Sequence, residues 1–253
     1  MKQIYTIINQ KGGVGKSTTA HALGWSLVRR GNRVLFVDLD SQSNLSFSLR
    51  ANTDLPTSMD VLTGEVPIQN AIQPLSEGAF VLPAGLGLAL AEQNMTGVGT
   101  EYRLKEALDA VKADYDYIII DTPPALGILT VNALTASTRA IIPAQADIYS
   151  FQGISQLYKT IMTVKKYCNP DIMVSGILLT RYSPRAILSR DVADMLSTTA
   201  GQINTKLFDA TIREAVSVKE AQANQVDVYE YSPKSNVALD YEAFTEELLK
   251  GDA

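Results

Sequence analysis

The chain has 253 residues, of which 46% are hydrophobic and 19% charged, and its formal net charge is −5. This is the balance of a globular protein, neither a disordered segment nor a globally basic binder of polyanions. A single cysteine, Cys168, and a single histidine, His21, leave no intramolecular disulfide and no Cys-x-x-Cys or Cys/His metal motif. No apolar run reaches the roughly 18 residues of a membrane-spanning helix, and an N-terminus that runs straight into a strand leaves no room for a signal peptide. A cytoplasmic protein is expected.

Residues 4–8 are a β-rich apolar run, followed at once by Gln10-Lys11-Gly12-Gly13-Val14-Gly15-Lys16-Ser17-Thr18-Thr19. Strand, glycines, then Lys-Ser opening a helix is the layout of a phosphate-binding loop. The glycines let backbone N–H groups turn inward around a phosphate with no Cβ in the way. The N-terminal end of the next helix adds positive partial charge aimed at the same anion. Lys16 is expected to reach the β- and γ-phosphates of a nucleotide, and the Ser17 hydroxyl to ligate Mg2+. The nucleotide-binding set is therefore Lys11, Gly12, Gly13, Val14, Gly15, Lys16, Ser17 and Thr18. Gln10 replaces the first glycine of the ordinary pattern, and a second lysine, Lys11, precedes Lys16 within the same loop.

Ala20, Leu23, Leu27 and Val28 recur at helical spacing, and Arg29-Arg30-Gly31 closes that helix. His21 lies one turn in, where metal ligation is not expected. Residues 34–37 predict a buried strand running into Asp38-Leu39-Asp40-Ser41-Gln42-Ser43-Asn44. Asp38 and Asp40 thus stand at the end of a parallel strand, where open α/β sheets bind ligands. The purely structural alternative is that they cap the next helix. Between residues 51 and 100 the pattern is sparse, with a short helix at 57–62, a strand at 80–84 and loops at Gly85, Gly87, Gly97 and Gly99.

Residues 104–111 have helical spacing, and Tyr117-Ile118-Ile119-Ile120 runs into Asp121-Thr122-Pro123-Pro124. A buried parallel strand that delivers a carboxylate to its C-terminal edge is the Walker B arrangement, with Asp121 reaching the Mg2+ shell through water. A strand at 139–144, a helix at 154–167 and a strand at 174–180 continue the alternation. The fold class is therefore α/β, with a mostly parallel sheet flanked by helices on both faces. Charge is uneven along the C-terminal part. Residues 155–219 hold 9 Lys/Arg against 5 Asp/Glu, whereas from 220 onward the count is 2 against 8. A local basic patch is thus available, and Arg185, Arg213 and Lys219 are the candidates for contacts to DNA phosphates.

K-G-G-x-G-K-S/T is the deviant Walker A signature, and with the D-L-D and I-I-D-T-P-P segments in this order the chain resembles the ParA/MinD/nitrogenase-iron-protein class. Within that class it is most similar to the ParA/Soj family. Ala125-Leu126-Gly127-Ile128-Leu129-Thr130-Val131-Asn132-Ala133-Leu134, Thr211-Ile212-Arg213, Lys219-Glu220-Ala221-Gln222 and Tyr231-Ser232-Pro233-Lys234-Ser235 all match that family's pattern. The likeness runs from residue 4 to about residue 249 and implies one ParA-type P-loop ATPase domain over residues 1–253.

The resemblance implies ATP and Mg2+ as cofactors, ATP hydrolysis, and an ATP-dependent homodimer in which Lys11 reaches the nucleotide of the partner subunit. It makes Lys11, Lys16 and Asp40 the catalytic residues, with Asp40 orienting the attacking water. It gives Ser17, Asp38 and Asp121 to the metal, Asp38 also holding the strand end. It implies binding to non-specific double-stranded DNA, a ParB-like activator, plasmid or chromosome segregation, and association with the nucleoid in the ATP state. Two positions depart from the family pattern: Ser41 stands where Pro or Ala is usual, and Ser183 replaces an Asp upstream of Arg185. A MinD-like regulator is disfavoured, because the acidic tail at residues 241–250 would be repelled by anionic membranes. A nitrogenase-type protein lacks its cluster cysteines. A nucleotide-gated module that positions other cargo remains the alternative from a different class.

Overall fold

The computed structural model describes residues 3–85, 87–183 and 187–251. Among these the strands are β1 (Gln3–Ile7), β2 (Val34–Asp38), β3 (Gln73–Ser76), β4 (Ala79–Leu82), β5 (Tyr117–Asp121), β6 (Arg139–Gln145), β7 (Met173–Thr180) and β8 (Leu207–Ile212). The helices are α1 (Lys16–Arg29), α2 (Asn44–Ser48), α3 (Ser58–Thr63), α4 (Leu88–Asn94), α5 (Arg103–Asp109), α6 (Ile128–Ala136), α7 (Ile148–Tyr167), α8 (Ile187–Gln202), α9 (Val216–Ala223), α10 (Val228–Tyr231) and α11 (Asn236–Gly251).

The strands form one sheet in the order β3-β4-β2-β5-β1-β6-β7-β8, parallel throughout except for the antiparallel pair β3–β4. Both faces are covered, which is why the central strands read as unbroken apolar runs. Alternate residues still separate cleanly. Tyr5, Ile7, Phe36 and Ile119 pack beneath α1 and α11, whereas Ile4, Leu35, Val37, Ile118 and Ile120 face Leu104, Leu108 and Leu129 of α5 and α6. Ile142, Ile177 and Leu179 meet Leu157, Ile161 and Leu196 of α7 and α8 in a third cluster.

Two of these strands have no counterpart in the sequence reading. β3 (QPLS) is half-exposed and carries Pro74, and β8 fully buries only Phe208 and Ile212. Both lie at sheet edges, where one side is wet and the apolar signal is diluted. The helix expected at 154–167 starts earlier, at Ile148.

α11 buries Val237, Ala238, Tyr241, Phe244 and Leu248 against the sheet, with the Phe244 and Phe208 rings edge to face at 5.0 Å. Its acidic face is tied by Glu242 to Arg30 at 2.6 Å, by Glu247 to Lys206 at 2.8 Å and by Asp240 to Arg213 at 2.6 Å. Its apolar side is therefore core, and the buried side chains hold it in place far more than the exposed pairs do. Among the described residues no helix is long and apolar enough to cross a membrane.

His21 sits inside α1, 6% exposed, and its Nε2 accepts a hydrogen bond from Trp25 Nε1 at 3.1 Å. Burial pushes its pKa down to about 4. The folded chain therefore holds a neutral imidazole through the range where the unfolded chain takes up a proton. The resulting stability is complete above the unfolded pKa and is lost as pH falls toward the folded one. Gln at this position keeps an acceptor for Trp25 and cannot titrate. Relative to His21→Gln, the wild type should lose about 2 kcal/mol of unfolding free energy between about pH 7 and pH 5, read from denaturant titrations. Asp38, whose raised pKa acts with the opposite sign, is common to both proteins and drops out of the difference. A gap that does not change with pH would refute the assignment.

Candidate nucleotide-binding site

Sheet register assembles the site. Asp121 at the end of β5 lies opposite Ile7 of β1 on one side and opposite Asp38 of β2 on the other. The chain crosses from β1 toward β2 in one direction and from β6 toward β7 in the other, so the loop after β1 opens at the point where strand order reverses.

That loop is pinned from outside and left open within. Asn9 Nδ2 donates to Pro143 O at 2.7 Å and its Oδ1 accepts from Lys11 N at 2.9 Å. Gln145 Nε2 donates to Gly13 O at 3.1 Å, and Thr180 Oγ1 donates to Val14 O at 2.8 Å. Gly13 and Gly15 have φ of 74° and 85°, a left-handed conformation that side-chain-bearing residues rarely adopt. A Cβ on Gly12 or Gly13 would find nothing within 4 Å, so the loop bounds empty space of the kind a phosphate needs. α1 starts at Lys16 with its free N–H groups facing the same space.

Lys16 is 7% exposed, and its Nζ donates to Lys11 O at 3.5 Å. Burial lowers its pKa, while Asp121 and Asp40 act to hold the proton on. Asp121 is fully buried, and neither carboxylate oxygen has a hydrogen-bond partner of ordinary geometry. Burial raises its pKa well above the usual carboxylate value and Asp38 adds to this; the nearby Ser17 hydroxyl and Lys16 pull it back. A buried carboxylate with two orphaned oxygens needs a proton or a cation. One carboxylate and one hydroxyl, oxygen donors only, suit Mg2+, which keeps most of its own water. Among the described residues no group of three or more His, Cys, Asp or Glu could hold a metal by protein ligands alone. The residues present thus fit a hydrated magnesium ion shared with phosphates.

Asp38 has different work. Its Oδ1 accepts from Asp40 N at 3.0 Å, and its Oδ2 accepts from Ser46 N at 2.8 Å and Ser46 Oγ at 2.7 Å. Burial raises its pKa to about 6 against these hydrogen bonds. These contacts hold the end of β2. They fix the turn that carries Asp40, whose Oδ1 accepts from Gln42 N at 3.0 Å. Asp40 lines a cleft of about 510 Å³ together with Gly12, Gly13, Lys16, Ser17 and Thr18.

Lys11 points elsewhere. Its Nζ forms an ion pair with Asp147, which also accepts from Ser150 N at 3.0 Å at the start of α7. Its side chain lines a separate hollow with Asn9, Pro124 and Gln156, not the cleft of its own loop.

Two of the three DNA candidates, Arg213 and Lys219, lie within the described residues. Arg213 is held by Asp240 through Nη2 at 2.6 Å and Nε at 2.9 Å, and its Nη2 also donates to Asn236 O at 3.3 Å. Arg213 and Lys219 both line a small cavity beside Gly15 and Thr18. Arg185 lies outside the described residues. The structure adds Arg181 and Gln222 to the walls of the main cleft. Arg181 directly follows a predicted strand, a usable signal; Gln222 has no local pattern that marks it.

The family profile of the AAA domain matches residues 1–174. The sporulation initiation inhibitor protein Soj of Bacillus subtilis (strain 168) is 40% identical over 95% of this chain and 96% of its own. The chromosome partitioning protein ParA of Myxococcus xanthus (strain DK1622) is 38% identical over 99% of this chain and 89% of its own. A crystal structure of cobyrinic acid a,c-diamide synthase from Mycobacterium smegmatis with bound ADP and magnesium superposes with a TM-score of 0.85. It is 37% identical and covers 99% of this chain and 95% of that one. Loop, strand-end carboxylates and near-full-length likeness agree: the chain belongs to the ParA/Soj family of P-loop partition ATPases.

Proposed function

We propose that the protein is an ATP-dependent DNA-partitioning ATPase that dimerises around two ATP molecules, binds DNA without regard to sequence in that state, and is released by hydrolysis. The observation that carries this is the orphaned carboxylate of Asp121 under Ser17 and Lys16, at the foot of an empty glycine loop. The ADP and magnesium in the M. smegmatis structure support the same ligands here.

The loop amides and Lys16 hold the phosphates and balance their charge. Ser17 and Asp121 would hold Mg2+, which would supply positive charge against the phosphates. Asp40 orients the attacking water. Lys11 leaves Asp147 and reaches the nucleotide of a second copy, which makes the dimer depend on ATP. A ParB-like protein accelerates hydrolysis, and Arg185, Arg213 and Lys219 supply DNA phosphate contacts, Arg213 after release from Asp240. In cells the protein is cytoplasmic and follows the nucleoid while it holds ATP.

The amide synthesis named for the M. smegmatis protein is not carried over.

The test is DNA binding with no nucleotide, ADP, ATP and a non-hydrolysable analogue. Binding is expected only with the triphosphates. Three contacts per subunit give about six per dimer and a log–log salt slope of roughly −5. Binding that ignores nucleotide would overturn segregation, and absence of DNA binding would leave a module that positions other cargo.

A further inference from the structure

Two of the anchors on the outside of the glycine loop are neighbours in the sheet. Gln145 ends β6, Thr180 ends β7, and the two are partners in the parallel register, so their side chains leave the same face. Gln145 Nε2 donates to Gly13 O at 3.1 Å and Thr180 Oγ1 to Val14 O at 2.8 Å. Adjacent strands thus hold consecutive carbonyls of the loop. Thr180 is 3% exposed, and its hydroxyl also lies 3.3 Å from Ala144 O, which ties it to β6. A Cβ on Gly15 would meet Thr180 Cγ2 at 3.8 Å, so the threonine methyl fills the space behind the loop.

These bonds set directions. Among the described residues no peptide bond is cis, so the N–H that follows an anchored carbonyl points the opposite way. Neither Gln145 nor Thr180 lines the main cleft. Holding Gly13 O and Val14 O toward them turns the N–H groups of Val14 and Gly15 the other way. Neither N–H has a protein acceptor among the described residues. Gly13 and Gly15 are left-handed and Val14 between them is not, an alternation that lets successive N–H groups converge on one anion.

We propose that Gln145 and Thr180 are positioning residues that aim the Val14 and Gly15 amides at the phosphate chain. The donors are then in place before the anion arrives, and neither side chain touches the nucleotide. This rests on the nucleotide reading given above and goes beyond it to two residues outside the loop.

The test uses the full chain with Mg2+ and three probes: ATP, ADP and tripolyphosphate, which lacks the base. Thr180→Val keeps the shape and removes the donor, whereas Thr180→Ser keeps the donor. Losing one well-directed hydrogen bond to a charged group weakens binding by about tenfold. Loop amides serve the α- and β-phosphates, so Thr180→Val should lose about that factor for all three probes alike. Thr180→Ser should restore wild-type binding. Gln145→Met, at a half-buried position where folding is less at stake, should show the same uniform loss. Wild-type affinity in the folded Thr180→Val or Gln145→Met protein overturns the assignment of that residue, even where the denaturant midpoint falls. A serine variant as weak as the valine one overturns the role of the hydroxyl. A wild type that binds neither nucleotide nor tripolyphosphate overturns the nucleotide reading instead.

Discussion

Lys16→Ala should lose Mg–ATP affinity by more than a hundredfold and with it every ATP-dependent dimer. The side chain is 7% exposed and shares its electrostatic surroundings with Asp121 and Asp40. Truncating one member of a desolvated charge pair costs roughly 2–5 kcal/mol, much of it from the charge left unpaired. Here the loss counts twice. The incoming phosphates lose their compensating ammonium, and the carboxylates that Lys16 offsets lose theirs, so Asp121 is driven further toward its protonated form. Both effects weaken the site for a metal–triphosphate complex. Calorimetric titration with ATP in the presence of Mg2+, beside sedimentation of the variant with ATP, measures them together. ATP-dependent dimers of the variant would show that the loop is not the phosphate site.

The parts of the site that were legible in the sequence are those made by buried strands. β1, β2 and β5 are covered on both faces, so each reads as an apolar run, and each leads into the site: β1 into the glycine loop, β2 into Asp38 and β5 into Asp121. Lys16, Ser17 and Asp121 could be assigned because spacing within a strand–loop–helix unit fixes where side chains lie. Partners distant in sequence could not. Arg213 reads as a free cation until α11 brings Asp240 against it from 27 positions away. Gln222 reaches Thr18 across 204 positions, through the placement of β8 at the far edge of the sheet, which no local pattern encodes. Asp38 and Asp40 look equivalent as a D-x-D pair, yet β2 ends at Asp38, which stays fully buried among the strand ends, whereas Asp40 lies past the strand and lines the cleft. Only Asp38 finds Ser46, so only Asp38 becomes the brace of the turn.

Asp40→Ala should separate binding from chemistry. Ser17 and Asp121, which fit the metal, are untouched, and the loop amides and Lys16 remain, so Mg–ATP should bind within about threefold of wild type. Hydrolysis at saturating ATP should fall roughly 10²- to 10⁴-fold, the range for removing a positioned group that handles the attacking water. Under the proposed function, an ATP dimer that turnover depletes should then accumulate, and DNA should stay bound longer. Asp40 also has a structural contact, its Oδ1 accepting from Gln42 N at 3.0 Å, which helps shape the turn held by Asp38. Asp40→Asn keeps that acceptor and removes the charge, so it divides the two roles. If the carboxylate orients water, Asn should be nearly as slow as Ala while preserving the ATP dimer. If Asn instead restores turnover, Asp40 acts by holding the turn, and the water is positioned by another group. Single-turnover hydrolysis and dimer lifetime, measured on the same two variants, decide the matter; a variant that binds ATP yet stays monomeric would count against hydrolysis as the step that ends the dimer.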